Sequence, residues 1–268
     1  MRSRRSETAT PVGQPAPSSG QGPAQEFDPA SELCIVSWNV HKLLHDGVHD
    51  ELQDLVDIRC PHLLALQEAR LGMHLPTGMV GHHARSFRSG LLGRSEEGVM
   101  TLSSVAASNA YRVRSAEREL RVLTPKAALV SLFRVAGGGE LCLVNLHGLN
   151  FDPSGAQLAR QLEALRVRVE AFRGPMIVAG DFNTWNKARM DAVEALSHAL
   201  DLEEVRPDYP GGKTGDVPAG VVSRAIGFSP DLHLDRIFVR GFRPIQVSWM
   251  LEYEASDHVP ILARLEWT

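Results

Sequence analysis

Met176-Ile177-Val178-Ala179-Gly180-Asp181-Phe182-Asn183-Thr184-Trp185 reads as a strand that ends in chemistry. Four apolar residues make a short buried strand, Gly180 lets the backbone turn at its end, and Asp181 and Asn183 leave it with one residue between them. In sheets flanked by helices, ligands usually bind beyond the carboxyl ends of the strands, so this acid and amide are candidates for a reaction. Asp, Gly and Asn are also ordinary turn formers, and the segments around them decide between the two readings.

Just upstream, Leu158, Leu162, Leu165, Val169 and Phe172 recur at helical spacing, which predicts a core helix between Pro153 and Phe172. Before it, Lys126 to Val135 and Glu140 to Leu146 form a hairpin around Gly137-Gly138-Gly139, and His147 falls at the strand end. Downstream, Met190, Val193, Leu196 and Leu200 mark another amphipathic helix, residues 207–220 read as a loop, and strands follow at 234–239, 245–250 and 259–265. Nearer the start, Leu33 to Val40 is a buried strand, Gly47 to Ile58 a helix, and His62 to Leu66 a strand ending in Gln67-Glu68. Residues up to 97 then read as a long surface loop, before strand character resumes at Gly98 to Ser103. Residues 1–31, rich in Pro, Gly and Ser, read as a disordered tail, which leaves one domain over 32–268. Helices interleaved with strands and hairpins predict an α/β fold of mixed sheets, two of them packed together and covered by helices.

The 268 residues are 43% hydrophobic, enough for a large core, and the net charge of −4 supplies no basic field to hold a polyanion non-specifically. Three cysteines, Cys34, Cys60 and Cys142, form no disulfide framework or metal-binding pattern. The basic start lacks an apolar run behind it, and no stretch is long enough to span a bilayer, so the expectation is a soluble cytoplasmic protein.

Five strand-like runs end in residues able to bind a hard cation or a phosphate: Asn39, Glu68, His147 with Asn150, Asp181 with Asn183, and Asp257 with His258. The set is rich in oxygen donors, which suits magnesium or manganese better than zinc. Singly, each reads more readily as a solvated strand cap. His41, His45 and His49, spaced by four, lack a cysteine or acid to complete a zinc set and read as a surface helix. Trp38, Trp185 and Trp249 read as core aromatics in preference to base-stacking ones.

Trp38-Asn39, Gln67-Glu68, Asn145-Leu146-His147 with Asn150, Gly180-Asp181-Phe182-Asn183, Leu234-Asp235-Arg236-Ile237-Phe238-Val239 and Ser256-Asp257-His258-Val259-Pro260 occur in the order of the endonuclease/exonuclease/phosphatase superfamily, which the chain resembles over residues 32–268. Within that superfamily it looks closest to the bacterial YafD-like (UPF0294) group. The resemblance implies a four-layered α/β sandwich with these motifs meeting at one rim. It also implies a phosphoester hydrolase using activated water and Mg2+ or Mn2+, most naturally a nuclease-like phosphodiesterase with nucleic acid among its candidate substrates. Glu68, Asn39 and Asp257 would be the metal residues, and Asp181 would orient or deprotonate water. Asn150, Asn183 and His258 would meet the phosphate, with Asp235 holding His258. His147 would stabilise developing charge or protonate the leaving oxygen.

Two departures stand out: His41 replaces an acid two residues after Asn39, and Arg236 replaces a common tyrosine. Arg118, Glu119 and Lys126 read either as a solvated charged face or as extra anion contacts. The competing classes are a small-molecule or lipid phosphodiesterase or phosphomonoesterase, and a non-catalytic binding module that keeps the fold.

Overall fold

Leu33 to Asn39 is buried at every position, as a strand must be when both its faces are covered. Its odd-numbered apolar residues, Leu33 and Ile35, point into one cluster, and its even-numbered ones, Cys34, Val36 and Trp38, into another. The same two-residue alternation, repeated in the other central strands, separates the protein into layers.

The computed structural model describes residues 7–13, 26–41, 47–89, 95–114, 117, 126–207 and 233–268. Its elements are β1 (Glu7–Thr8), β2 (Thr10–Val12), β3 (Leu33–Asn39), α1 (Val48–Arg59), β4 (Leu63–Arg70), β5 (Val80–Ser89), β6 (Ser95–Ser103), β7 (Asn109–Arg114), β8 (Ala127–Val135), β9 (Gly139–His147), α2 (Ala156–Val169), β10 (Met176–Asp181), α3 (Lys187–Leu200), β11 (Glu203–Val205), β12 (Asp235–Arg240), β13 (Phe242–Trp249) and β14 (Ile261–Trp267). They build two seven-stranded mixed sheets, ordered β1-β7-β8-β9-β10-β12-β11 and β13-β14-β3-β4-β6-β5-β2. One apolar cluster fills the space between the sheets, a second lies between the first sheet and α2 with α3, and a third lies under α1 on the second sheet. The result is the four-layered sandwich expected from the sequence.

Each sheet has one parallel pair at its centre, β3 with β4 and β9 with β10, and each pair is closed by a crossover helix, α1 or α2. Parallel strands release their ends on the same side, so Asn39, Gln67-Glu68, His147 and Asp181 all emerge at one rim. The flanking strands β12 and β14 run antiparallel and begin at that rim, which brings Asp235 and the preceding Asp257-His258 to it as well. Topology alone therefore collects the six sequence motifs.

Several expectations need correction. Residues 69–97 are not one surface loop, because β5 and the start of β6 lie inside them. Among the residues of β5 whose burial is described, the buried ones are His83, Ala84 and Ser86, a set with almost no hydrophobic signature. Strands β7 and β11 were also absent from the reading. The expected tail is structured where it is described: β1 pairs with β7 and β2 with β5, one on each sheet edge, and Ala9 between them is buried. Phe27 packs against Phe133 at 5.5 Å between ring centroids, and its backbone bonds Arg134 and Ala136. Composition missed this because an open sheet edge is satisfied by main-chain groups, whatever side chains they carry. His41 and His49 share no surface helix, since α1 starts at Val48 and His41 stands at the rim. His45, Arg118, Glu119 and most of the loop expected at 207–220 lie outside the described residues. Cys34 and Cys142 are buried free thiols and Cys60 is exposed.

Candidate active site

Strand register sets the centre of the site. His147 on β9, Asp181 on β10 and Asp235 on β12 are direct cross-strand partners, so three chemically active side chains stand in one row. In the facing sheet, Asn39 on β3 is the partner of Gln67 on β4. Gly180 lies within β10, not at a turn after it, and its φ of 145° and a virtual Cβ only 1.9 Å from the Leu146 carbonyl oxygen exclude any side chain there. That close approach keeps β9 and β10 aligned beside this row.

Asp181 is the hub. Asn39 Nδ2 donates to its Oδ2 at 3.1 Å across the two sheets, the backbone N–H of Asn183 donates to its Oδ1 at 2.8 Å, and His147 Nε2 lies 3.4 Å from Oδ2. Burial, and next the charge of Asp235, raise the Asp181 carboxyl to about 6, while His258 and Lys126 pull it back. The two sheets are also joined behind it, where Gln67 Nε2 donates to Asn145 Oδ1 at 2.9 Å and Asn145 Nδ2 donates to the Leu66 and Met100 carbonyls. Asn183 has φ 53° and donates from Nδ2 to the Gly148 carbonyl at 3.0 Å.

The Asp235–His258 pair forms as the sequence suggested, with Nδ1 of His258 2.6 Å from Oδ2 of Asp235. Burial works against charge on this ring, but the Asp235 charge and hydrogen bond, helped by Asp181 and Asp257, raise it to about 10. Its loop is pinned to β3: Ser256 Oγ donates to the Asn39 carbonyl at 2.6 Å, and Trp38 Nε1 donates to the His258 carbonyl at 2.9 Å. Trp38 is thus a buried core residue that also places the histidine.

Glu68 sits within β4 at φ 55°, in an irregularity of the β4–β6 pairing between Leu66 and Ala69. The bulge turns its side chain to the rim, and the buried His83 bonds the Ala69 carbonyl through Nε2 at 3.2 Å, bracing it from behind. Asp257 is more exposed and lies 3.1 Å from His41 Nδ1. The histidine that replaced an acid therefore partners Asp257, and its N–H donates to Asn39 Oδ1 at 3.0 Å. Arg236 is buried away from the site wall, bonding Thr184 Oγ1 at 2.9 Å and pairing with Glu204.

Lys126 is the residue that the sequence left open. It is buried, with Nζ 2.9 Å from His147 Nε2 and 3.6 Å from Glu68 Oε1. An ammonium only donates, so Nε2 accepts in this arrangement. The hairpin held part of the signal: its register pairs Val135 with Gly139 and Ala128 with Leu146, so one step further Ala127 faces His147 and Lys126 stands just before β8 at that end. Asn150 stands in the loop that follows β9. Its Oδ1 accepts from the Phe151 N–H and from Trp185 Nε1, both at 2.8 Å, so the carbonyl shapes a loop.

The model of the Endonuclease/Exonuclease/phosphatase family matches residues 36–258, which spans the first five motifs and Ser256 to His258 of the sixth. The chain belongs to the endonuclease/exonuclease/phosphatase family. A UPF0294 protein of Vibrio cholerae is 33% identical over 258 residues, covering 91% of this chain and 82% of the relative. Among solved structures, an endonuclease/exonuclease/phosphatase from Beutenbergia cavernae superposes with TM-score 0.66 at 16% identity, over 88% of this chain and 72% of that one. Zebrafish (D. rerio) TDP2 complexed with a single-strand DNA product superposes with TM-score 0.60 at 16% identity, over 88% and 99%. At such identities the structures share the fold. Members of the endonuclease/exonuclease/phosphatase family are generally metal-dependent phosphoester hydrolases.

The donor set fits a hard divalent cation. Among the described residues no three His, Cys, Asp or Glu side chains form a ready cage. Magnesium needs none, since one or two carboxylates with waters and substrate oxygens commonly suffice. Asn39 turns its Nδ2 to Asp181, which leaves its carbonyl oxygen on the side of His41 and Asp257. No helix among the described residues is long and apolar enough to cross a membrane.

Proposed function

We propose that this protein is a divalent-metal-dependent phosphodiesterase that hydrolyses its substrate with activated water. The observation that carries the reading is the geometry at Asp181. It is a buried carboxylate with both oxygens oriented by Asn39 and Asn183, beside a histidine and a lysine and next to a charged Asp235–His258 pair. With a carboxyl near 6, Asp181 is ionised at neutral pH yet basic enough to take a proton from water. The oxygen–phosphorus bond to water forms as the bond to the leaving oxygen breaks. The imidazolium of His258 meets the negative phosphoryl group, and Asp235 preserves its charge. His147, with Lys126 against its ring, stabilises developing charge or supplies the proton to the leaving oxygen. Asn183 meets the phosphate through its amide. Glu68, Asn39 and Asp257 would hold Mg2+ or Mn2+, and such an ion supplies charge neutralisation at the phosphoryl oxygens. The nuclease-like substrate choice draws on the likeness to TDP2, which was captured with single-strand DNA product. A cytoplasmic setting remains part of the proposal.

Purified protein with magnesium or manganese, assayed against plasmid DNA, RNA, a generic phosphodiester, a phosphomonoester and sphingomyelin, tests the reading. Chelator should abolish activity, and both Asp181→Asn and Glu68→Ala should lower it at least 100-fold with unchanged circular dichroism, a loss of about 3 kcal/mol in transition-state stabilisation. Full activity in chelator, or an Asp181→Asn enzyme as fast as the parent, rejects it.

A further inference from the structure

Phe151 is 63% exposed, and among the described residues the other strongly exposed large apolar side chains, Ile58, Val167 and Ile245, are aliphatic. It also has φ 56°, a backbone conformation that residues with a Cβ adopt only at a cost. A strained aromatic facing solvent does nothing for the core, and neither Phe151 nor Trp185 belongs to any of the buried clusters.

The loop that carries Phe151 is nevertheless fixed. Asn150 Oδ1 accepts from the Phe151 N–H and from Trp185 Nε1, so one amide oxygen ties the two aromatic residues together. Arg189, fully buried, donates to the carbonyls of Leu149, Asp152 and Asn183, and its guanidinium carbon lies 5.3 Å from the centroid of the Trp185 ring. Gln161 clamps the same loop from α2, bonding the His147 carbonyl and the Leu149 N–H. These contacts hold the backbone through carbonyls and N–H groups and leave the Phe151 ring to solvent. The loop follows His147 directly, and Trp185 follows Asn183, so the aromatic pair borders the residues assigned to the phosphate.

We infer that Phe151, with Trp185 beside it and Asn150 holding both, is a stacking ledge for a flat ring adjoining the scissile phosphate, so that the substrate is a phosphoester bearing a nucleobase. This deepens the phosphodiesterase reading and rests on it. A π-face accepts any base without hydrogen-bond readout, which suits a ledge that presents no polar edge. One exposed aromatic and a net charge of −4 fit capture of a single base better than a long polyanion track. Asn150 is then a positioning residue.

The test compares wild type with Phe151→Leu and Phe151→Tyr on three substrates: a dinucleoside monophosphate, a short single-stranded oligonucleotide, and a glycerophosphodiester that has no ring. Binding of a nucleoside monophosphate is followed separately by tryptophan fluorescence in chelator, which reads the ledge whether or not the protein hydrolyses anything. Phe151→Leu should weaken that binding and raise KM for a nucleotide substrate about tenfold with little change in kcat, while Phe151→Tyr restores both and the ringless diester is unaffected. An effect on both nucleotide arms identifies a free or terminal nucleotide as the source, and one on the oligonucleotide alone identifies single-stranded nucleic acid. The inference is overturned by unchanged nucleotide binding in Phe151→Leu, or by equal loss on the ringless diester. Wild type that hydrolyses none of the substrates sinks the phosphodiesterase reading instead, and the fluorescence arm still decides the ledge.

Discussion

Replacing Asp235 by Asn keeps the side-chain volume and removes the charge that holds His258 as an imidazolium. The rise of that ring from 6.5 to about 10 amounts to roughly 5 kcal/mol of preference for the charged form at ~1.4 kcal/mol per pH unit. Burial opposes the charge, and Asp235 supplies the two largest favourable contributions, its charge and the 2.6 Å hydrogen bond, ahead of Asp181 and Asp257. With Asp235 neutral, burial should prevail and the ring should titrate below pH 7. Hydrolysis at neutral pH should fall by about 10²-fold or more, as it does when an oriented acid–base partner is lost.

Imidazole NMR titration of the chelated protein checks the first half, because it needs no turnover. Stability carries the same sign: a raised histidine contributes stability that is complete below about 6.5 and is lost as pH rises through about 10. Alkaline melting curves of wild type should show that loss, and those of Asp235→Asn should not. In a double-mutant cycle, Asp235→Asn with His258→Ala should be little slower than His258→Ala alone. A ring still charged at pH 8 in Asp235→Asn, or multiplicative losses in the cycle, would refute the unit.

Lys126→Met should cut kcat by about 10²-fold, as loss of a preorganised charge at the reacting centre does, with the fold intact by circular dichroism; an unchanged rate would return Lys126 to a structural role. Deleting residues 1–13 uncovers both sheet edges and removes the buried Ala9, so the melting temperature should drop by about 2–6 °C, as a cost of about 1–2 kcal/mol does at this size; an unmoved midpoint shows that β1 and β2 contribute nothing. His62, His82 and His83 are all held below 6.5 by burial, so their share of stability is present above about 6.5 and lost as pH falls through their folded values. Urea midpoints at pH 5 and 7 read it, and His83→Gln should flatten the difference.

The central strands were legible because both faces of them are buried. Leu33 to Val40, the two arms of the hairpin between Lys126 and Leu146, and the Met176 run are mostly apolar, and α1, α2 and α3 carry the matching helical stripe. β5 was not legible, because a strand that buries His83, Ala84 and Ser86 between close neighbours looks polar in sequence. The N-terminal strands were hidden for another reason, since edge pairing is a transaction between backbones. Among site residues, Asp235 with His258 was found as a pair because each lies in a motif of the family that the chain resembles, Leu234 to Val239 and Ser256 to Pro260. The role of Asn150 was not, because its carbonyl bonds Trp185, thirty-five positions away in a contact that only the fold creates.

The hydrogen bond from Asn39 to Asp181 crosses from one sheet to the other, so the orientation of Asp181, the proposed general base, depends on how the two sheets are spaced. That spacing is set by side chains that have no part in the reaction. The apolar cluster between the sheets fixes it over most of their length, and near the rim Gln67 and Asn145 replace it with a polar bridge. Asn145 spends both halves of its amide there, accepting from Gln67 and donating to two carbonyls of the opposite sheet. An alanine at 145 would take a buried hydrogen bond from each of those carbonyls and from the Gln67 amide, which keeps its bond to the Ala65 carbonyl, and a buried polar group left unsatisfied costs about 1–3 kcal/mol. The strands could recover only by moving apart or admitting water at the point where Asn39 must reach Asp181. The amides behind the catalytic row are therefore as much a condition of its geometry as the carboxylates within it.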